Sequence, residues 1–331
     1  MPLVYEIVFA SYAEIPLVDH KNCKKPVWHA LGLQRKELVE DKTMAGWANP
    51  DDPLVSTQWL ADKLDAPDVR IIDASWHMPA AGRNAKEEYD ATHIPGAVFF
   101  DIDEISETAS PFPHMMPTPE KFASRVKKLG LGDGLRLVIY DSTGVFSAAR
   151  VWWMFRHMGH DDVVVLDGGL PRWQAENRAT EDMPPIARER HFTVRRRADL
   201  IRDKGQVLEK VQSGVAQILD ARPAGRFNGT ALEPRANLPS GHMPGAFNVP
   251  FSTLLKPDNT MKDPAELAGV FKAAGVDLGK RLVTTCGSGV TACVIALALA
   301  RLGLWDVPVY DGAWSEWAAD PASPIETEAA G

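Results

Sequence analysis

Cysteine is scarce in this chain: Cys23, Cys286 and Cys293 are the only three among 331 residues. They are too few and too unevenly placed for a disulfide framework, and they lack the paired spacings of a zinc site. A reducing, cytoplasmic setting without a bound metal is therefore expected. Long apolar runs are missing too. None approaches the roughly 18 to 20 residues a membrane-spanning helix needs, so no membrane partner is expected. Positive charge is in deficit, with 36 Lys and Arg against 44 Asp and Glu and a formal net charge of -8. Nucleic-acid binding rests on basic patches that release counterions, so a nucleic-acid partner is not expected either. Any anionic ligand has to be held by a few local cations.

What is present suits a soluble globular protein, since 45% apolar and 24% charged residues leave no case for a disordered or fibrous class. The length points to two hydrophobic cores rather than one. Residues 1–43 differ from the rest. Val4 to Ala10 is apolar, but Glu6 interrupts it and no basic segment precedes it, so it makes a poor secretory signal. Glu14, Asp19, Glu37, Glu40 and Asp41 weaken a mitochondrial transit reading. These residues are expected to form a disordered extension or to lie upstream of a start at Met44.

The chain repeats itself, which is the most informative thing to look for first. Ile72-Asp73-Ala74-Ser75 is matched by Leu219-Asp220-Ala221-Arg222, and His93-Ile94-Pro95-Gly96-Ala97 by His242-Met243-Pro244-Gly245-Ala246. Leu137 to Asp141 aligns with Leu282 to Cys286, each followed by a glycine, Gly144 or Gly289; Leu166-Asp167-Gly168 with Trp173 recurs as Tyr310-Asp311-Gly312 with Trp317. Blocks recurring in the same order at a nearly constant offset mark a duplication into two domains of one fold. Short apolar runs alternate with helix-period segments in each copy, which predicts an α/β fold: a mainly parallel sheet flanked by helices on both faces. The expected domains are 52–177 and 205–320, with a charged, proline-containing linker at 178–204 and a tail at 321–331.

In open α/β sheets ligands bind beyond the carboxyl ends of strands. Cys286 stands there, after a strand ending at Thr285 and before a helix through Ala292, Ile295, Ala296 and Leu299. Between them Gly287, Ser288, Gly289, Val290 and Thr291 are small enough to curl, so that successive N–H groups face one centre as an anion nest. Such a nest favours thiolate over thiol and stabilises a persulfide. A buried cysteine behaving as a small hydrophobe is the competing reading, and it fits Cys293 on the following helix better. His93 and His242 recur in both copies, so they read as structural. Gly130 to Gly134 imitates a nucleotide loop but follows a helix and precedes a strand, so it reads as a turn.

The run Cys286 to Thr291, the two His-x-Pro-Gly-Ala copies and the tandem arrangement resemble the rhodanese superfamily over about residues 52 to 320. The loop is similar to that of the 3-mercaptopyruvate sulfurtransferases, whereas thiosulfate-preferring rhodaneses usually carry Arg and Lys there. The resemblance implies a catalytically silent first domain, and Asp141 stands where the cysteine would be. It implies Cys286 as nucleophile and a Ser288, His114 and Asp103 relay, the last two from the first domain, unless His114 only shapes the interface. It implies Arg226 and Arg235 as grips for the carboxylate and keto oxygen of 3-mercaptopyruvate, and Arg222 as a structural neighbour. The implied reaction transfers sulfur through a persulfide to a thiol acceptor such as thioredoxin, with cyanide as a laboratory acceptor and no cofactor. Three alternatives are weighed against this one. Thiosulfate transfer would need cations that Gly287 and Ser288 do not supply. A cysteine phosphatase would need an arginine closing the loop. A non-catalytic binding module would have lost the nucleophile from both copies.

Overall fold

The structure is a computed structural model that describes residues 52–327, and the extension at 1–43 lies outside them. Two five-stranded sheets follow one another along the chain, and every strand pairing in both is parallel. The first contains β1 (Leu54–Val55), β2 (Val69–Asp73), β3 (Ala97–Phe99), β4 (Arg136–Tyr140) and β5 (Val163–Leu166), in the order β1-β5-β4-β2-β3. The second contains β6 (Ile201–Arg202), β7 (Gln217–Asp220), β8 (Phe247–Asn248), β9 (Leu282–Thr285) and β10 (Val309–Tyr310), in the order β6-β10-β9-β7-β8. The orders are the same, so the sequence repeat is a repeat of topology. In each sheet the winding reverses between the second and fourth strands, β2 and β4 or β7 and β9, which opens a crevice at their carboxyl ends.

The helices of the first half are α1 (Thr57–Ala61), α2 (Ala85–Ala91), α3 (Ile102–Ile105), α4 (Pro119–Lys128), α5 (Ser147–His157) and α6 (Gly169–Ala175). Those of the second are α7 (Lys204–Ser213), α8 (Ala224–Phe227), α9 (Pro264–Ala273), α10 (Ala292–Arg301) and α11 (Ala313–Trp317). Their starts are written in the sequence. Thr118 Oγ1 accepts from the Lys121 N–H with Pro119 in the first turn, and Asp263 and Glu266 close a reciprocal capping box at α9.

Two helices decide how the halves meet. Every residue of α5 is buried, and so is every residue of α10 from Ala292 to Ala300. A helix buried on all sides belongs to an interior, and these two pack together even though α5 carries Arg150, Arg156 and His157. One continuous core therefore runs through both halves, holding Trp152 and Phe155 from α5 with Ile295 and Leu299 from α10. The outer face of each sheet has a smaller core of its own, around Tyr140 and Trp173 in one half and Tyr310 and Trp317 in the other.

Candidate active site

Cys286 ends β9 at the crevice and is 1% exposed. The amino end of α11 holds the loop from behind: the Trp314 N–H donates to the Cys286 carbonyl at 2.9 Å, and the Ser315 N–H and hydroxyl donate to that of Gly287 at 3.0 and 2.6 Å. Gly289 has a φ of +79°, which a side chain would strain. Val290 is buried, and Thr291 leads into α10. Cys293 lies inside α10, where its thiol donates to the Gly289 carbonyl at 3.2 Å and burial pushes its pKa up to about 12. It stays a thiol and packs.

The first half shows what this loop does with an anion. The Asp141 carboxylate, at the place of Cys286, accepts the N–H groups of Thr143, Gly144, Phe146 and Ala148 at 2.8 to 2.9 Å, and the Thr143 hydroxyl at 2.8 Å. The loop is thus a nest of N–H groups around the carboxylate in this half. In the second half the matching N–H groups of Ser288, Gly289 and Thr291 have no oxygen acceptor among the described residues. They belong to the loop that follows Cys286.

The first half also reaches into the second. His114 Nδ1 lies 3.0 Å from Ser288 Oγ, and its Nε2 lies 3.0 Å from Asp103 Oδ1. Asp103, on α3, takes the proton side of Nε2, so Nδ1 is left to accept from the serine hydroxyl. The hydrogen bond to His114 holds the Asp103 carboxyl below the usual range, although burial opposes this. Trp76 Nε1 donates to Asp103 Oδ2 at 3.0 Å, and its ring meets the imidazole edge-on at 4.7 Å. His114 itself has a φ of +60°, a conformation uncommon outside glycine and typical of strained functional sites.

Two guanidinium groups close the other side. A side chain at Gly287 would meet Arg226 Nη2 at 2.9 Å and Arg235 Nη1 at 3.5 Å, so the glycine leaves room for both. Arg226, on α8, is anchored by Glu233 through contacts of 3.1 and 2.5 Å. Arg235 has no hydrogen bond or ion pair among the described residues. Burial lowers its pKa, the Cys286 charge opposes that, and Arg226 lowers it further, yet an arginine stays cationic. Arg222 differs from both: it is buried, forks onto Asp220, bonds Glu233 at 2.8 Å and lies 4.0 Å over the Trp314 ring. Its positive charge is taken up by the scaffold.

His114, Asp103, Arg226 and Arg235 thus converge on the loop that carries Ser288. Sequence reading missed Trp76, Glu233 and the buried pair Arg150 and Asp311. A signal for Arg150 exists, a lone cation inside the otherwise apolar helix pattern of residues 148–155. His93 and His242 take equivalent places, stacked at 4.2 Å on Tyr89 and 3.9 Å on Phe227, with Nδ1 at the carbonyls of those residues. Residues 130–134 form a turn between α4 and β4.

The rhodanese-like domain family matches the chain twice, over residues 56–176 and 203–320. The 3-mercaptopyruvate sulfurtransferase of Homo sapiens is 44% identical over 270 residues, which cover 80% of this chain and 91% of that one. The thiosulfate sulfurtransferase of Rattus norvegicus is 44% identical over 271 residues, with the same shares of 80% and 91%. The crystal structure of SseA from Escherichia coli, described for the rhodanese fold and mechanism of 3-mercaptopyruvate sulfotransferases, has a TM-score of 0.74 and 42% identity. It covers 80% of this chain and 100% of that one. Two matched domains, two sheets of one topology and identity above 40% across most of the chain lead to one conclusion: this chain belongs to the rhodanese family.

Proposed function

We propose that the chain is a sulfurtransferase that takes sulfur from 3-mercaptopyruvate, holds it as a persulfide on Cys286 and passes it to a thiol acceptor. Equal identity to a mercaptopyruvate and a thiosulfate enzyme leaves the donor to be argued from the site. The observation that carries the reading is Arg235: a half-buried guanidinium without a protein partner, beside Arg226 and over Gly287. A planar guanidinium grips a carboxylate through paired charge-assisted hydrogen bonds. Held there, a small thiol acid presents its sulfur to Cys286 in one orientation.

In the first step the Cys286 thiolate attacks the substrate sulfur. The carbon–sulfur bond breaks, and its electron pair leaves on pyruvate as the enolate, which takes up a proton. The substrate thiol supplies that proton, and Ser288 hydrogen-bonded to His114 and Asp103 offers the path for it. The nest N–H groups stabilise the terminal sulfur. An acceptor thiolate then attacks the outer sulfur and Cys286 leaves as thiolate. Thioredoxin is the acceptor we assign, by the family resemblance, with cyanide as a laboratory substitute. The cytoplasm is the compartment that suits two free buried thiols. We assign residues 52–177 to the non-catalytic domain, 178–204 to the linker and 205–320 to the catalytic domain, noting that β6 from the linker completes the second sheet.

Thiosulfate remains the second reading. Residues 286–291 carry no cation, but the fold brings Arg226 and Arg235 to them, and two guanidinium groups suit a dianion. Parallel assays with 3-mercaptopyruvate, thiosulfate and a phosphate ester separate the readings. Pyruvate release with one added sulfur on Cys286 is the expected result, and faster turnover of thiosulfate would overturn it. Arg235→Ala should lower kcat/KM for 3-mercaptopyruvate by roughly ten- to a hundredfold, since a hydrogen bond to a charged group contributes about 1.5 to 3 kcal/mol. Thiosulfate has no carboxylate and should lose less; equal proportional losses would mean that Arg235 does not read the carboxylate.

A further inference from the structure

Arg150 belongs to α5 of the half without a nucleophile, yet its side chain reaches the other half as well as its own. It is 0% exposed. Nη2 donates to Asp311 Oδ1 at 2.7 Å and to the His114 carbonyl at 2.5 Å, while Nη1 lies 3.4 Å from the Gly289 carbonyl. Asp311 is held from its second oxygen by the Met116 N–H at 2.7 Å. One guanidinium therefore touches the backbone of the histidine behind Ser288 and the backbone of the cysteine loop. Gly289 completes the arrangement. A side chain there would come within 3.0 Å of Arg150 Nη1 and 3.1 Å of the Asp311 carbonyl, so the glycine also makes space for an arginine from the opposite half.

The duplication supplies a control. Asn259 has a φ of +61°, like His114 at +60°, and sits against Gly144 of the silent loop. Asp167 accepts the Met261 N–H at 2.8 Å, as Asp311 accepts that of Met116. The two halves thus cross over each other in the same way. The arginine breaks the pattern: the residue of α10 that corresponds to Arg150 is Ile295, and among the described residues no guanidinium lies within ion-pairing distance of Asp167. A clamp needed only to join the halves has no reason to point solely at the loop that carries the cysteine.

We infer that Arg150, with Asp311, is a positioning residue for sulfur transfer: it fixes the strained backbone of His114 and the carbonyl of Gly289 in one register. The hydroxyl of Ser288 and the N–H nest then meet over Cys286. The inference rests on the sulfurtransfer reading for its kinetic part only. It also gives the silent half a reason to be retained, since both Arg150 and His114 come from it.

The test uses the full chain carrying Arg150→Met together with Asp311→Asn. Removing both buried charges at once avoids stranding an unpaired carboxylate, and asparagine still accepts from Met116. With 3-mercaptopyruvate, kcat should fall about a hundredfold, the scale expected of misplaced reacting groups. KM should move less than about twofold, because Arg226 and Arg235 bind through their own half. Adding His114→Ala should cost less than about threefold more, since groups acting as one unit are not additive. Amide hydrogen exchange at residues 113–116 and 287–291 should accelerate roughly tenfold while the end of α10 keeps its protection. A folded variant within about threefold of the unmodified kcat, or losses that multiply fully with His114→Ala, would overturn the clamp. Unchanged exchange in both loops would do so as well. If the unmodified chain releases no pyruvate, the functional reading fails instead, and the exchange measurement still decides the clamp.

Discussion

At the scale of single residues, the two halves differ by one exchange with large consequences. In one nest stands a carboxylate that accepts five hydrogen bonds from its own loop; in the other stands a thiol. Cys286→Ser should therefore keep the fold and lose all persulfide, read by intact mass after incubation with 3-mercaptopyruvate. Sulfur found on Cys293 or Cys23 would contradict the assignment. Asp141→Ala should do the opposite. It strands four N–H groups that now donate to the carboxylate, at a cost of about 3 kcal/mol. A chain of this size should then melt roughly 4 to 5 °C lower with kcat unchanged. An unshifted melting curve would show that the silent nest contributes nothing to stability. Cys286 and Asp141 were both legible in the sequence because each ends a repeated strand. Glu233 was not: its buried carboxylate joins Arg222 to Arg226, a contact that the spacing of residues 222–235 does not reveal.

At the scale of elements, α5 carries polar groups into the interior and inherits a pH dependence. His157 is buried, with Nδ1 at the Arg197 carbonyl at 2.9 Å and Nε2 accepting from Arg196 at 3.3 Å. Burial, reinforced by the Arg196 charge, lowers its pKa from 6.5 to about 4. The folded state thus binds this proton less readily than the unfolded state. The contribution to stability is complete above pH 6.5 and is lost as the pH falls from 6.5 through about 4, up to about 3 kcal/mol in all. Burial lowers the pKa of His160 as well, with the same sign. Urea unfolding of His157→Gln between pH 7 and 4 should show a shallower acid slope than the unmodified chain, and an identical slope would remove His157 as the cause. The elements themselves were readable in the sequence: apolar runs alternate with helix-period segments as the strands and helices do, and Thr118 and Asp263 cap two of the helices. Which helix faces would be covered was not, because a mostly apolar helix does not name its partner.

At the scale of the whole molecule, one core crosses both halves, so they should unfold together. Far-UV and near-UV circular dichroism should trace a single coincident transition, with calorimetric and van't Hoff enthalpies in agreement. Two separated transitions would show that the α5 and α10 contact couples the halves weakly. The same contact explains why Trp76, His114 and Arg150 of a half without a nucleophile lie around Cys286. A separate catalytic half would expose α10 and lose the histidine that faces Ser288.

The sequence alone determined the duplication, the parallel α/β fold of each copy, the strand that leads to Cys286 and the carboxylate that stands at its place in the first copy. Each of these depends on local pattern: period, turn chemistry and the identity of one residue at a strand end. The tertiary structure alone decided that Glu233 joins Arg222 to Arg226, that Arg235 has no partner among the described residues, and that Arg150 joins the site from the opposite half. Those outcomes depend on which surfaces pack together. Residues of the two halves become neighbours where two buried helices, α5 and α10, remove each other from water.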